Sequence, residues 1–104
     1  MGEQIITVFR NRLRPEHRDA YAVTSARMTE LAAAMPGFVE AKTFTADDGE
    51  RVTIVTFADL ASERAWRDHP EHRDAQRQGI ADLYAEYSIQ VGTVIYDHRF
   101  RHEG

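Results

Sequence analysis

Four side chains in this sequence, Asn11, Trp66, His69 and His72, have the type and spacing to do chemistry. Asn11 falls on the same face of a strand-like run as Ile5, Phe9 and Leu13. An amide among apolar neighbours needs hydrogen-bond partners, so it either lines a cavity and holds a ligand or is bonded to a strand end or turn. Trp66, the single tryptophan, offers a flat wall for an aromatic ligand and an indole N–H donor; ordinary core packing is the alternative. His69 and His72 flank Pro70 in the stretch DHPEH at 68–72. An imidazole titrates near neutral pH, so it can take a phenolic proton and later return it. A solvated surface position is the competing account, stronger for His69 than for His72. The His-x-x-His spacing beside acids also suits a metal pair. Pro70 disrupts the helical geometry this would need and no third ligand is evident, so no metal is expected.

The other chemistry-bearing types fit quieter roles. His17, His98 and His102 lie among charged residues and read as solvated. Arg10 and Arg12 fall on the strand face opposite Asn11, where they could meet acids at an interface between two copies. Tyr84 and Tyr87 fit a helical core stripe better than a nucleophilic role. There is no Gly-rich phosphate loop, no Gly-x-Ser-x-Gly elbow and no paired-carboxylate arrangement.

The elements that must position these residues follow from periodicity. Residues 4–13 read as a strand rich in β-branched and aromatic types. Pro15 and Glu16 suit a first helical turn, where the missing N–H is harmless and the acid meets the positive end of the helix dipole. Tyr21, Met28, Leu31 and Met35 continue at helical spacing until Met35-Pro36-Gly37 stops the helix. Strands are predicted over 38–45 and 52–57, joined by a hairpin at Asp47-Asp48-Gly49 with Gly49 at positive φ. Helix resumes near Leu60, breaks at His69-Pro70, and restarts with Ile80, Leu83, Tyr84 and Tyr87 at i, i+3, i+4, i+7. A last strand is expected over 89–96, followed by a charged tail. The motif PEHRDA occurs at 15–20 and again at 70–75, each time where a helix should open.

The order β-α-β-β-α-β is the ferredoxin-like α+β pattern, a four-stranded antiparallel sheet with helices on one face. The 104 residues form one domain, with an ordered core over residues 4–97. Both sheet faces are apolar: Ile6 and Val8 oppose Ile5 and Phe9, and Val52 and Ile54 oppose Val55 and Phe57. The face without helices needs a cover, and a second copy is the simplest one, so a homodimer is expected. A net charge of −4 with interspersed basic residues argues against a nucleic-acid binder. No cysteine is available for thiolate chemistry or metal ligation, and no apolar run reaches membrane-spanning length. Polar Gly2, Glu3 and Gln4 after Met1 do not open a secretory signal, so the cytoplasm is the expected compartment.

The chain resembles the antibiotic biosynthesis monooxygenase (ABM) domain family of the dimeric α/β-barrel superfamily. The resemblance rests on ITVFRNRL at 6–13, MPGF at 35–38, Ala65-Trp66 leading to HPEHRDAQ at 69–76, then Tyr84, Tyr87 and IQV at 89–91. It implies the same fold, a dimer, and a pocket between sheet and helices in each subunit. Some members oxygenate phenols or quinols with no cofactor; others bind and cleave haem with a first-strand asparagine, a tryptophan and an iron-ligating histidine. Asn11 and Trp66 match the first two, but the histidine position is Gln76 here, a poor iron ligand. The resemblance therefore implies a small cofactor-independent monooxygenase acting on an aromatic phenol or quinol with O2. Asn11, Trp66 and His72 are expected to be catalytic, and Phe9, His69 and Gln76 to contact substrate. Haem binding through His69 or His72, and a non-catalytic module that binds small molecules, are the alternatives.

Overall fold

The computed structural model describes residues 3–102, apart from the side chains of residues 17 and 18, so the expectation for His17 lies outside the described residues. β1 (Ile5–Leu13) leads through a short 3-10 turn, Pro15–His17, into α1 (Arg18–Ala34). β2 (Phe38–Thr45) and β3 (Arg51–Phe57) form the predicted hairpin, with Gly49 at φ +91°. No side chain other than glycine adopts that angle at low cost. Then come α2 (Leu60–Arg67), α3 (Pro70–Gln78), a π-helical turn over Gly79–Leu83, and β4 (Tyr84–Thr93). The sheet is antiparallel throughout, in the order β2-β3-β1-β4, as a ferredoxin-like α+β domain requires.

Helix starts here have identifiable causes. Asp59 caps α2: its Oδ1 accepts from the Ser62 N–H at 2.8 Å, and that bond holds the Asp59 carboxyl below its ordinary pKa. His69 caps α3, its Nδ1 accepting from the Glu71 N–H at 3.2 Å, and Pro70 occupies the first turn, where no N–H is missed.

One boundary differs from expectation. Tyr84 and Tyr87 belong to β4, not to a helix, and the strand ends at Thr93 rather than at 96. The end of β1 captures this segment: the Arg14 N–H donates to the Leu83 carbonyl at 2.8 Å and Arg14 Nε to the Tyr84 carbonyl at 3.1 Å. The turn before the strand is tight. A Cβ on Gly79 would lie 2.3 Å from the Tyr84 ring, so only glycine lets the backbone pass so close.

Side chains alternate across the sheet. The helix-facing side carries Thr7, Phe9 and Asn11 of β1 beside Val55, Thr53 and Arg51 of β3. The core sits over the other end of that side, where Ala32, Phe57 and Trp66 are buried against Met28, Leu31 and Phe38. The opposite face presents Ile6, Val8, Val52 and Ile54, with Phe44 exposed beside them. On that face Arg10 and Arg12 find acids of their own chain rather than awaiting a second copy. Arg10 pairs with Glu50 through two bonds at 2.8 and 2.9 Å, and Arg12 pairs with Asp48 at 2.7 Å and Glu86 at 3.1 Å.

Candidate functional site

Between the sheet and the helices lies a cavity of about 180 Å3. Phe9 and Thr7 of β1 and Val55 of β3 form its floor, and Met28 of α1 stands on its wall. Trp66 and Glu63 enter from α2, His72 and Gln76 from α3, and Tyr84 and Tyr87 from β4. Of the expected site residues, the structure thus brings Phe9, Trp66, His72 and Gln76 to one hollow. It does not bring Asn11 or His69 to its wall.

Trp66 and His72 form a unit. Their rings stack with centroids 4.1 Å apart and planes inclined by 14°. Both accounts of Trp66 hold at once, since it is part of the buried cluster and also borders the cavity. One indole face is taken by the imidazole, which leaves a ligand only the other face or the ring edge. His72 Nδ1 lies 3.1 Å from the Trp66 carbonyl oxygen. A carbonyl only accepts, so Nδ1 carries the proton and Nε2 keeps a free lone pair. Burial pushes the His72 pKa below its ordinary value, and the bond to the Trp66 carbonyl only partly opposes this. The imidazole is therefore a neutral base at pH 7.

His69 is turned to a different task. Its Nδ1 is committed to capping α3, and its ring lies 6.1 Å from that of Trp66 without stacking. Asn11 is 1% exposed, and neither its amide nitrogen nor its oxygen has a partner among the described residues. It sits directly across from Arg51, whose Nε is likewise buried and unpartnered, and from Tyr87 on the other side. The Arg51 guanidinium lies 4.8 Å above the Tyr21 ring. Tyr21, Tyr84, Tyr87 and Phe9 make a chain of edge-on and tilted contacts with centroids 5.5–5.9 Å apart. Burial pushes the Tyr84 phenol well above its usual range, with neighbouring Tyr21 adding to the effect, so Tyr84 stays protonated and acts as a neutral hydroxyl.

Glu63 and Arg67 border the cavity without having been singled out in the sequence, and Tyr84, read there as helix core, borders it too. The available signal was helical spacing: Glu63 stands three residues before Trp66, on the same side of α2. Among the described residues no three His, Asp or Glu side chains gather as a metal site. Gln76 borders the cavity where the resemblance puts an iron-ligating histidine, and an amide does not suit haem iron.

The sequence profile described as antibiotic biosynthesis monooxygenase matches residues 4–78. An uncharacterized protein, YqjZ of Bacillus subtilis, is 30% identical over 82 residues, which span 79% of this chain and 72% of that one. Among solved structures, Rv0793 from Mycobacterium tuberculosis superimposes with a TM-score of 0.81 at 18% identity, covering 92% of this chain and 99% of its own. SnoaB, a cofactor-independent oxygenase from Streptomyces nogalater, gives a TM-score of 0.78 at 17% identity, with 92% and 97% covered. At these identities the two structures speak for the fold alone.

Proposed function

This chain belongs to the antibiotic biosynthesis monooxygenase family, and on that premise we propose that it is a small oxygenase which inserts oxygen into an aromatic phenol or quinol without a cofactor. The observation that carries the proposal is the neutral, half-buried His72, its Nδ1 fixed by the Trp66 carbonyl and its ring stacked on Trp66, at the wall of a largely apolar hollow. A planar phenol enters against Phe9 and the free face or edge of Trp66. His72 Nε2 accepts the phenolic proton. The electron-rich anion gives one electron to O2, and the resulting radical pair joins through a new C–O bond at a ring carbon. The C–H proton of that carbon and the proton held by His72 leave with the distal oxygen as water when the O–O bond breaks. The ring carbon becomes a carbonyl, so phenol and O2 give quinone and water. The protein contributes orientation, proton transfer and a hollow with little water. Gln76 lines the hollow as a neutral hydrogen-bonding group. Asn11 stands off the wall and has no step assigned to it. Oxygen uptake with a panel of naphthols and hydroquinones tests the scheme: turnover should occur with at least one and be lost in His72→Ala. Full turnover by that variant overturns it.

A second copy of the chain is the proposed cover of the open sheet face. The apolar centre of that face is only half-buried among the described residues, its flanking arginines are neutralised within the chain, and Ile95, Tyr96 and Phe100 of the tail stand exposed. No unpaired charge of those arginines opposes burial against an identical surface. Sedimentation at micromolar concentration should give twice the chain mass, and a monomer there refutes the pairing.

A further inference from the structure

Glu63 is the one carboxylate on the cavity wall among the described residues, and it is 3% exposed. One of its oxygens is held by Arg67 Nη2 at 2.7 Å, and Arg67 itself is half exposed. Among the described residues no other side chain donates to it. An ionised carboxylate accepts at about four positions, so most of the acceptor capacity of Glu63 is unfilled. Burying such a group is costly unless donors meet it. Ser25, Thr29 and Gln76 also line the hollow, but none of them donates to Glu63 among the described residues. The Trp66 ring is stacked on His72, and His72 Nδ1 is already committed. A ligand in the hollow is therefore the natural source of the missing donor.

We infer that Glu63 is the residue that determines ligand specificity in the cavity, accepting a hydrogen bond from a second hydroxyl of the bound aromatic, distinct from the one whose proton goes to His72. The inference rests on the cavity being the ligand site, as proposed above. It narrows the class to neutral aromatics that carry a second free hydroxyl besides the one bound by His72. The same ring with that hydroxyl masked loses a charge-assisted bond, and a ligand with its own carboxylate there meets a like charge. Glu63 lies one helical turn before Trp66 on α2, so a ring placed against Trp66 is within reach of the carboxylate.

Titration calorimetry with 1,5-dihydroxynaphthalene and its monomethyl ether, 5-methoxy-1-naphthol, separates the outcomes, because both keep one hydroxyl for His72. The protein should bind the diol at least about tenfold more tightly than the ether, the range expected for a bond to an ionised acceptor. Glu63→Met keeps the length of the side chain and removes the acceptor. It should bring the two affinities together while leaving that of the ether unchanged, which also shows that the cavity is intact. Glu63→Gln keeps a neutral acceptor and should lower the preference only in part, which provides the test should the methionine variant not fold. Equal binding of both ligands by the unaltered protein, or a preference that persists undiminished in either variant, overturns the role of Glu63 and leaves the cavity proposal standing. Failure of both ligands to bind the unaltered protein overturns the cavity proposal and this inference with it.

Discussion

Replacing Asn11 with leucine should make the protein more stable. The two side chains share a branch at Cγ, so leucine can enter the same space beside Phe9, Arg51 and Tyr87. Both amide atoms of Asn11 are buried without a partner among the described residues. An unsatisfied buried polar group costs about 1–3 kcal/mol, and leucine removes two of them while adding apolar burial. Part of that gain is returned as strain from the larger side chain, which costs about 1–3 kcal/mol in a well-packed core. A net gain of about 2 kcal/mol is expected, which raises the Tm of a domain of this size by about 10 °C. Urea unfolding followed by circular dichroism measures it, with an unchanged m-value as the sign that only stability has moved. If Asn11→Leu instead lowers stability by a similar amount, the reasoning fails, and a buried water must be bonding Asn11 and the Arg51 Nε together. The oxygen-uptake assay on the same variant adds a second measurement. Stability that rises while turnover falls would mark Asn11 as a residue retained for function at a cost in stability.

Three other perturbations test separate parts of the structure. His72→Phe preserves the stacking on Trp66 and removes the titrating group. Because the folded pKa is depressed, protonation favours the unfolded chain. The contribution of His72 to stability is thus fully present above its ordinary value of 6.5 and lost as pH falls toward the lower folded value. The difference in unfolding free energy between protein and variant should be flat above that point and change only below it; a flat profile down to pH 4 would show that burial does not shift this histidine. Gly79→Ala forces a Cβ into the Tyr84 ring and should cost about 1–3 kcal/mol, read from a lowered Tm; no change would mean the turn has room to spare. Hemin titration should give no saturable Soret shift, because Gln76 replaces an iron ligand and His69 Nδ1 is bound in a cap; a shift abolished by His72→Ala would reverse that assignment.

Strands, hairpin and helix break were legible because each is set by local rules: two-residue alternation, the glycine of the turn, the proline at a helix start. The start of β4 was not. Ile80, Leu83, Tyr84 and Tyr87 satisfy a helical period, while Tyr87, Ile89 and Val91 satisfy a strand period, and nothing local chooses between them. The choice is made by hydrogen bonds from Arg14, seventy residues away in sequence. Asn11 was placed on the correct face by alternation, but how far along the strand the cavity reaches depends on where Tyr21 and Tyr84 settle above it. The spacing of Glu63 to Trp66 was outweighed for a related reason: a glutamate four residues before an arginine reads as a solvated helix pair, and only the packing of α2 over β3 buries it.

The histidines show how one local signal can carry function. Pro70 argued against a metal pair because it interrupts the helix between them. The same proline fixes where α3 begins, and so makes His69 the capping residue and His72 a residue of the first turn. Capping consumes the Nδ1 lone pair of His69 outside the hollow. The first-turn position brings His72 back over Trp66, where its own Nδ1 proton is tied down and Nε2 is left as the base. Removing the proline should therefore disturb the base more than the fold. Pro70→Ala, which keeps a helix-compatible residue at that position, should lower turnover by loosening the stack while the sheet and its unfolding cooperativity persist. Undiminished turnover in that variant would show that the Trp66–His72 pair holds its geometry without help from the helix start.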